Sequence, residues 1–325
     1  MIMKKLLAAF AGTILLSTLA PAALAADSYP AKPVRLVVGY SPGGPFDVIA
    51  RVLGEKLSNM WGQPVTVDNR VGAGGNIASE AVARAPADGY TLLLAANSHV
   101  FNGSLYNNLP YDPIKDFTPI SQVMYYPLVL VVNPNLPMKS LKDFVDYAKA
   151  HPGKVMFGSA GNGTPTHLAG ELFKRVAGID IVHVPYKGAG PATNDVLGGH
   201  IEAIFNNPVS ALPMVKSGQL RALATTGLQR LPNAPDAPTV AESGYPGFEA
   251  GTWGAVMGPA GLPPGIVAKI ETDLLKVLSM PDVRKRIEGL GVQPTGTTAQ
   301  QLSQIMHTDH DKWDKVIRAA DIRLD

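Results

Sequence analysis

One short stretch has the residue types and spacing for catalysis. Gly39-Tyr40-Ser41-Pro42-Gly43 has the G-x-S-x-G pattern of a hydrolase elbow, and it lies between an apolar run and a helical one, as that motif requires. An elbow uses the backbone N–H of the residue after the serine to hold the oxyanion. Here that residue is Pro42, which has no N–H. An exported serine hydrolase using Ser41 therefore stands as the weaker alternative. The stronger reading is a binding loop. Ser41 supplies a hydroxyl beside Tyr40, and Gly43 and Gly44 let ligand oxygens come close to backbone N–H groups. Phe46 and Asp47 open the helix that follows.

A second loop repeats this logic at Gly158-Ser159-Ala160-Gly161-Asn162-Gly163-Thr164-Pro165-Thr166-His167. It reads as a strand end, a glycine-rich turn and a helix start. Thr164 suits the cap and Pro165 the first turn. Free N–H groups and the positive end of the helix dipole then point into the loop, a seat for a small anion. Ser159, Ala160, Gly163, Thr164 and His167 are the candidate contacts, with His167 placed either to donate to a ligand or to cap locally. Two anion seats without a catalytic set beside them imply capture of a carboxylate rather than chemistry upon it.

Other loops offer donors but no cofactor site. Gly72-Ala73-Gly74-Gly75-Asn76-Ile77 approaches a dinucleotide fingerprint, yet Ile77 stands where the third small residue belongs. Gly161-Asn162-Gly163 fails in the same way at Thr166, and no phosphate-binding P-loop is present. No cofactor is expected. Gly74 and Gly75 remain candidates for a turn beside a cleft, with Asn97 in a neighbouring loop. Tyr186 offers a hydroxyl and a ring, and Asn206 and Asn207 offer neutral amides for carboxyl oxygens. His307 and His310 lie one helical turn apart but lack a further metal ligand nearby, so no metal centre is expected.

These loops need a frame that brings them together. Strand-like runs at 34–38, 65–67 and 90–95 alternate with helical periodicity at 46–60 and 77–85. Such β-α-β-α-β order predicts a largely parallel sheet. The pattern restarts after residue 120, with strands expected at 128–132, 155–157, 179–184, 201–205 and 220–225. A helix is expected from Ser140 to His151, and a long surface connection over 230–249. After an apolar strand at 251–257, three helices begin near Pro264, Pro281 and Thr298. They cannot close a sheet of their own, so they should pack on the first half. The expectation is α/β with two lobes, 26–125 plus 250–325 and 126–249, each a mostly parallel sheet flanked by helices. Two segments near 122–128 and 249–254 would cross between them. Ligands of such sheets bind beyond the carboxyl ends of the strands.

Residues 1–25 have the form of a signal peptide: Lys4 and Lys5, a 14-residue apolar run from Leu6 to Leu19, and a small-x-small cleavage pattern at Ala23-Leu24-Ala25. The run is too short to span a bilayer. Without the two leader lysines, 26 basic residues balance 26 acidic ones. A nucleic-acid binder should carry a basic surplus, so that class is excluded. The absence of cysteine rules out disulfides and thiolate metal sites.

The loops taken together resemble a known family. Pro42-Gly43-Gly44 with Asp47 and Ala50-Arg51, Asn69-Arg70 with Gly72-Ala73-Gly74-Gly75, and Asp88-Gly89-Tyr90-Thr91 are its marks in the first half. Gly158-Ser159-Ala160-Gly161 with Gly163-Thr164 and His167, Val184-Pro185-Tyr186-Lys187-Gly188, and Pro238-Thr239-Val240-Ala241-Glu242 continue them. Over about residues 29–325 the chain resembles the periplasmic solute-binding proteins of tripartite tricarboxylate transporters, the TctC or Bug family. The resemblance implies a flytrap-like, type II periplasmic-binding fold acting as a monomer. It implies a small di- or tricarboxylate or aromatic acid as ligand, and TctA- and TctB-type membrane subunits as partners, or else a sensor kinase. Two positions depart from many relatives: Asn206 stands where an Asp is common, and Phe46 where a small or hydroxyl residue is. Phe46 could favour a bulky ligand or belong to the core.

Overall fold

The computed structural model describes residues 29–324. The expected signal peptide and its cleavage site lie outside the described residues. The first part runs β1 (Val34–Val38), α1 (Pro45–Trp61), β2 (Val65–Asn69), α2 (Asn76–Ala83), β3 (Thr91–Ala96), α3 (Ser98–Leu105) and β4 (Phe117–Pro127). A second series follows: β5 (Val129–Val132), α4 (Leu141–Ala150), β6 (Val155–Ser159), α5 (Pro165–Ala177), β7 (Ile181–Pro185), α6 (Ala189–Gly198), β8 (Ala203–Asn206), α7 (Pro208–Lys216) and β9 (Arg221–Thr225). The chain then returns through β10 (Gly251–Pro259), α8 (Pro264–Ser279), α9 (Pro281–Glu288), β11 (Gln293–Pro294) and α10 (Ala299–Ala319).

Local chemistry explains the elements that matter here. The buried positions of α1, Phe46, Ile49, Ala50, Leu53 and Leu57, recur every three to four residues, and the helix ends on Gly62 in the left-handed region. Helix α4 starts at Ser140, whose hydroxyl accepts from the N–H of Asp143. Helix α10 opens with a full capping box between Thr298 and Gln301.

The strands form two sheets, ordered β11-β4-β10-β3-β1-β2 and β7-β6-β8-β5-β9. Each is mixed. Strands β2, β1 and β3 are parallel, as are β7, β6 and β8. Strand β10 pairs antiparallel with β3 and β4, and β5 pairs antiparallel with β8 and β9. The reason is connectivity: β4 leaves the first sheet toward the second, and β10 brings the chain back, so the two must run in opposite senses.

The two crossings are tied at one residue. Thr226 is fully buried. Its hydroxyl accepts from Leu128 N at 2.7 Å and also reaches Ala250 O. Its N–H donates to Leu128 O at 2.9 Å, and Ala250 N donates to Thr226 O at 2.9 Å. The long connection before β10 is anchored rather than free, because Leu231, Val240 and Phe248 are buried.

Candidate functional site

Several helices begin directly after a strand, and their starts face one cavity of about 450 Å³ between the two sheets. From the first sheet come the β1–α1 loop (Tyr40, Ser41, Gly44, Pro45, Phe46), the loop before α2 (Val71, Gly72, Gly74, Gly75), and Ala96. The second sheet brings Ala160 and Thr164–Thr166 at the start of α5, Gly188 and Ala189 at α6, and Asn207 and Ser210 at α7. Tyr126, Leu128 and Thr252, on the crossing segments, complete the wall. Among the described residues, no Asp, Glu, Lys, Arg or His lines it.

The helix starts differ in how they are capped. Thr164 accepts from His167 N, and Asn207 accepts from Ser210 N, so α5 and α7 are capped by their own side chains. Helices α1 and α6 have glycine at the cap, Gly44 and Gly188, and no side-chain cap bond. Their first-turn N–H groups lack intrahelical acceptors by geometry. They lie on opposite sides of the cavity and carry the positive ends of two dipoles.

Among the residues expected at the site, Tyr40, Ser41, Gly44, Phe46, Gly74, Gly75, Ala160, Thr164 and Asn207 line the cavity. Phe46 serves as wall and core at once. It is 4% exposed, and its ring stacks on Tyr40 with centroids 4.5 Å apart. The hydroxyl of Tyr40 is held by Ser98 Oγ at 2.8 Å.

The other expected residues brace the site from behind instead of facing it. Asp47 is 3% exposed and its carboxylate is fully engaged: Arg51 donates from Nε at 3.0 Å and Nη2 at 2.8 Å, Asn69 Nδ2 at 3.0 Å, and Gly43 N at 2.9 Å. The hydrogen bond from Arg51 holds this carboxyl below the usual carboxylate range. Asn97 is buried at the start of α3, where its amide donates to Gly251 O at 3.0 Å. Asn206 is also buried. Its Nδ2 donates to Thr193 Oγ1 at 2.9 Å, and its Oδ1 accepts from Asn207 N, which fixes the neighbouring cap. An acid here would not face the cavity. Tyr186 points its hydroxyl at Asp195 Oδ2, 2.6 Å away.

Ser159 and His167 belong to one buried cluster under the loop. Ser159 Oγ lies 2.6 Å from His183 Nε2 and accepts from Gly161 N at 3.1 Å. The rings of His167 and His183 stack at 3.6 Å. His167 Nδ1 accepts from Gly163 N at 3.0 Å. Burial lowers His183 to a pKa of about 4, and burial with the neighbouring His183 lowers His167 to about 3. Both rings are therefore neutral near pH 7, and they shape the loop rather than attract an anion. Gly163 is packed against the other lobe: a Cβ there would sit 2.7 Å from Leu105 Cδ1 and from Leu324 Cδ1.

Gly188 lies in the expected loop at 186–188, while Tyr126, Leu128, Thr252, Ala189 and Ser210 are absent from the sequence expectation. The signal for Gly188 and Ala189 was a strand–glycine–helix junction. For Tyr126, Leu128 and Thr252 it was their position on the crossings. A larger groove of about 980 Å³ lies on another face of α7, where Pro208, Leu212, Asn233 and Gly289 meet. The converging helix starts single out the smaller cavity.

Comparisons with known proteins identify the family and agree with the fold. Residues 49–322 match the tripartite tricarboxylate transporter family receptor. Protein BugT of Bordetella pertussis is 40% identical over 305 residues, covering 93% of this chain and 94% of that protein. An R. palustris protein solved with adipate superposes with a TM-score of 0.84 at 35% identity, covering 91% of this chain and 100% of that one. MatC from Rhodopseudomonas palustris, solved with bound malate, gives 0.79 at 32% identity over 89% of this chain and 100% of that one. A two-sheet frame with an interlobe cleft and full-length similarity to such receptors leads to one assignment: the chain belongs to the tripartite tricarboxylate transporter family of solute-binding receptors, the TctC or Bug family.

Proposed function

We propose that this protein is a periplasmic receptor that captures a small carboxylate between its lobes and hands it to a tripartite tricarboxylate-type membrane transporter. The lobes are 26–125 with 250–325, and 126–249, and the leader is removed after about Ala25. One observation carries the reading: helix starts from both sheets face a single cavity that, among the described residues, contains no charged side chain. Backbone N–H groups at helix starts compensate an anion without burying a counter-charge, whose desolvation would cost several kcal/mol. The ligand binds unchanged. Among the described residues no hydrogen bond joins Ser41 Oγ to a histidine, and His183 and His167 are bonded to Ser159 and Gly163 instead. Similarity to receptors solved with adipate and malate supports a carboxylate as cargo.

The test is calorimetric titration of a carboxylate panel, adipate and malate included, into the mature chain and into Ala189→Phe. Ala189 is half-buried at the uncapped start of α6, so a ring there fills the cavity and spares the backbone. Binding by the parent and its loss in the variant is the expected pair of results. Equal binding by both would place the ligand elsewhere.

A further inference from the structure

The side chains around the cavity say which carboxylates it can hold. Its apolar lining includes Tyr40, Phe46, Val71, Tyr126, Leu128 and Pro165. Several of its polar side chains already have partners. Tyr40 Oη pairs with Ser98 Oγ, and the Tyr126 hydroxyl lies near that of Thr252. Thr164 Oγ1 bonds Gly161 O at 2.7 Å and Thr166 Oγ1 at 2.9 Å, and Thr166 Oγ1 accepts from Ala160 N. Asn207 bonds Ser210 N and Asn206 Oδ1. Among the described residues, the lining hydroxyls with no hydrogen bond inside the protein are those of Ser41 and Ser210 and, on the crossing segments, Tyr126 and Thr252. Ser41 adjoins the start of α1, and Ser210 sits in the first turn of α7. The groups left to bind an acid are therefore gathered mainly at helix starts, with the crossing hydroxyls of Tyr126 and Thr252 between them, and most of the remaining lining side chains are apolar or already satisfied.

We propose that the cleft selects acids with an unsubstituted apolar body, either a saturated chain or an aromatic ring, and disfavours acids that carry hydroxyl or additional carboxylate groups along it. This rests on the carboxylate-receptor reading and narrows it. A carboxylate finds N–H donors at the starts of α1 and α6. A hydroxyl on the ligand body instead meets mainly rings and aliphatic groups and loses most of its water partners. A third carboxylate meets no cationic side chain at all. The stacked Tyr40 and Phe46 rings give a flat apolar surface on which an aromatic body can lie.

The experiment is calorimetry on the mature chain with matched pairs: adipate against 2-hydroxyadipate, phenylacetate against mandelate, and citrate as the hydroxylated triacid. We expect the unsubstituted member of a binding pair to bind about 10- to 100-fold more tightly than its hydroxylated partner, the discrimination an apolar pocket gives. Its binding should show a negative heat-capacity change, and citrate should not bind measurably. Parity within the pairs, or preference for mandelate, 2-hydroxyadipate or citrate, overturns the inference while leaving the receptor reading intact. Failure of every carboxylate to bind overturns both.

Discussion

Gly163 gives the most direct test that capture depends on the two lobes meeting. It lies in the loop before α5, is buried, and has φ +70°, and a Cβ would approach Leu105 Cδ1 and Leu324 Cδ1 to 2.7 Å. Replacement by alanine has two separable costs. The left-handed backbone costs an alanine about 1–2 kcal/mol whether the lobes are apart or together. The overlap with Leu105 and Leu324 costs about 1–3 kcal/mol, typical of an overpacked contact, and exists only when the lobes are apposed. The first cost appears in chemical denaturation of the free protein. The second appears as coupling between closure and binding, so affinity should fall about 5- to 150-fold. Calorimetry with a bound carboxylate measures it. Trimming the opposing side, Leu105→Val with Leu324→Ala, removes both Cδ1 atoms and should restore most of the affinity to Gly163→Ala. The restoration is judged against the trimmed background alone. Unchanged affinity in Gly163→Ala, or a loss that trimming leaves untouched, would refute the claim that this contact forms in the bound state.

Three further outcomes follow from other parts of the frame. Asp47→Asn removes the carboxylate that holds Gly43, Asn69 and Arg51, and should lower stability by about 1–3 kcal/mol, read from the urea midpoint. Thr226→Val leaves Leu128 N buried without its hydroxyl acceptor and should cost a similar 1–3 kcal/mol, whereas Thr226→Ser should recover most of it in the same assay. The histidine pair sets an acid dependence. Burial lowers His183 to about 4 and His167 to about 3 in the folded chain, so between pH 6.5 and 4 the unfolded chain binds more protons. Stability then falls as pH drops, with a slope of up to about 1.4 kcal/mol per pH unit for each histidine. A pH series of denaturation midpoints should show this slope and should flatten in His183→Gln.

Much of the frame was legible because its signals are local. Continuous apolar runs marked β1, β3 and β5, and glycine or hydroxyl caps beside them marked α1, α4 and α5. Strand β4 was not legible as a whole: Pro119, Ser121, Gln122 and Pro127 interrupt its apolar pattern, and it is specified by pairing with β10, a contact across more than a hundred residues. Helix α3, with Asn102, Gly103 and Ser104 inside eight residues, carries no clear period. It is held by packing against α10. The two-residue β11 has no sequence signature at all. At the site, spacing identified which loops meet but not where their side chains turn. Asp47, Asn97, Ser159, His167, Tyr186 and Asn206 sit in the right loops and face inward or sideways, because each finds a protein partner that a loop motif does not reveal.

The capping pattern also bears on how such a receptor can release what it holds. Where Thr164 and Asn207 cap α5 and α7, one first-turn N–H of each helix is already satisfied. At α1 and α6 the glycine caps offer no side chain, so on the proposed reading those donors would meet water with the lobes apart and ligand oxygens with them together. An anion held this way gains from two dipole ends, each worth up to about 2 kcal/mol in a partly buried setting. Strong retention therefore requires both walls at once. A lysine or arginine on one wall would hold the acid even with the cleft open. With none among the described lining residues, affinity on the proposed reading is conditional on closure, and a membrane partner that spreads the lobes would free the cargo without competing for a charge.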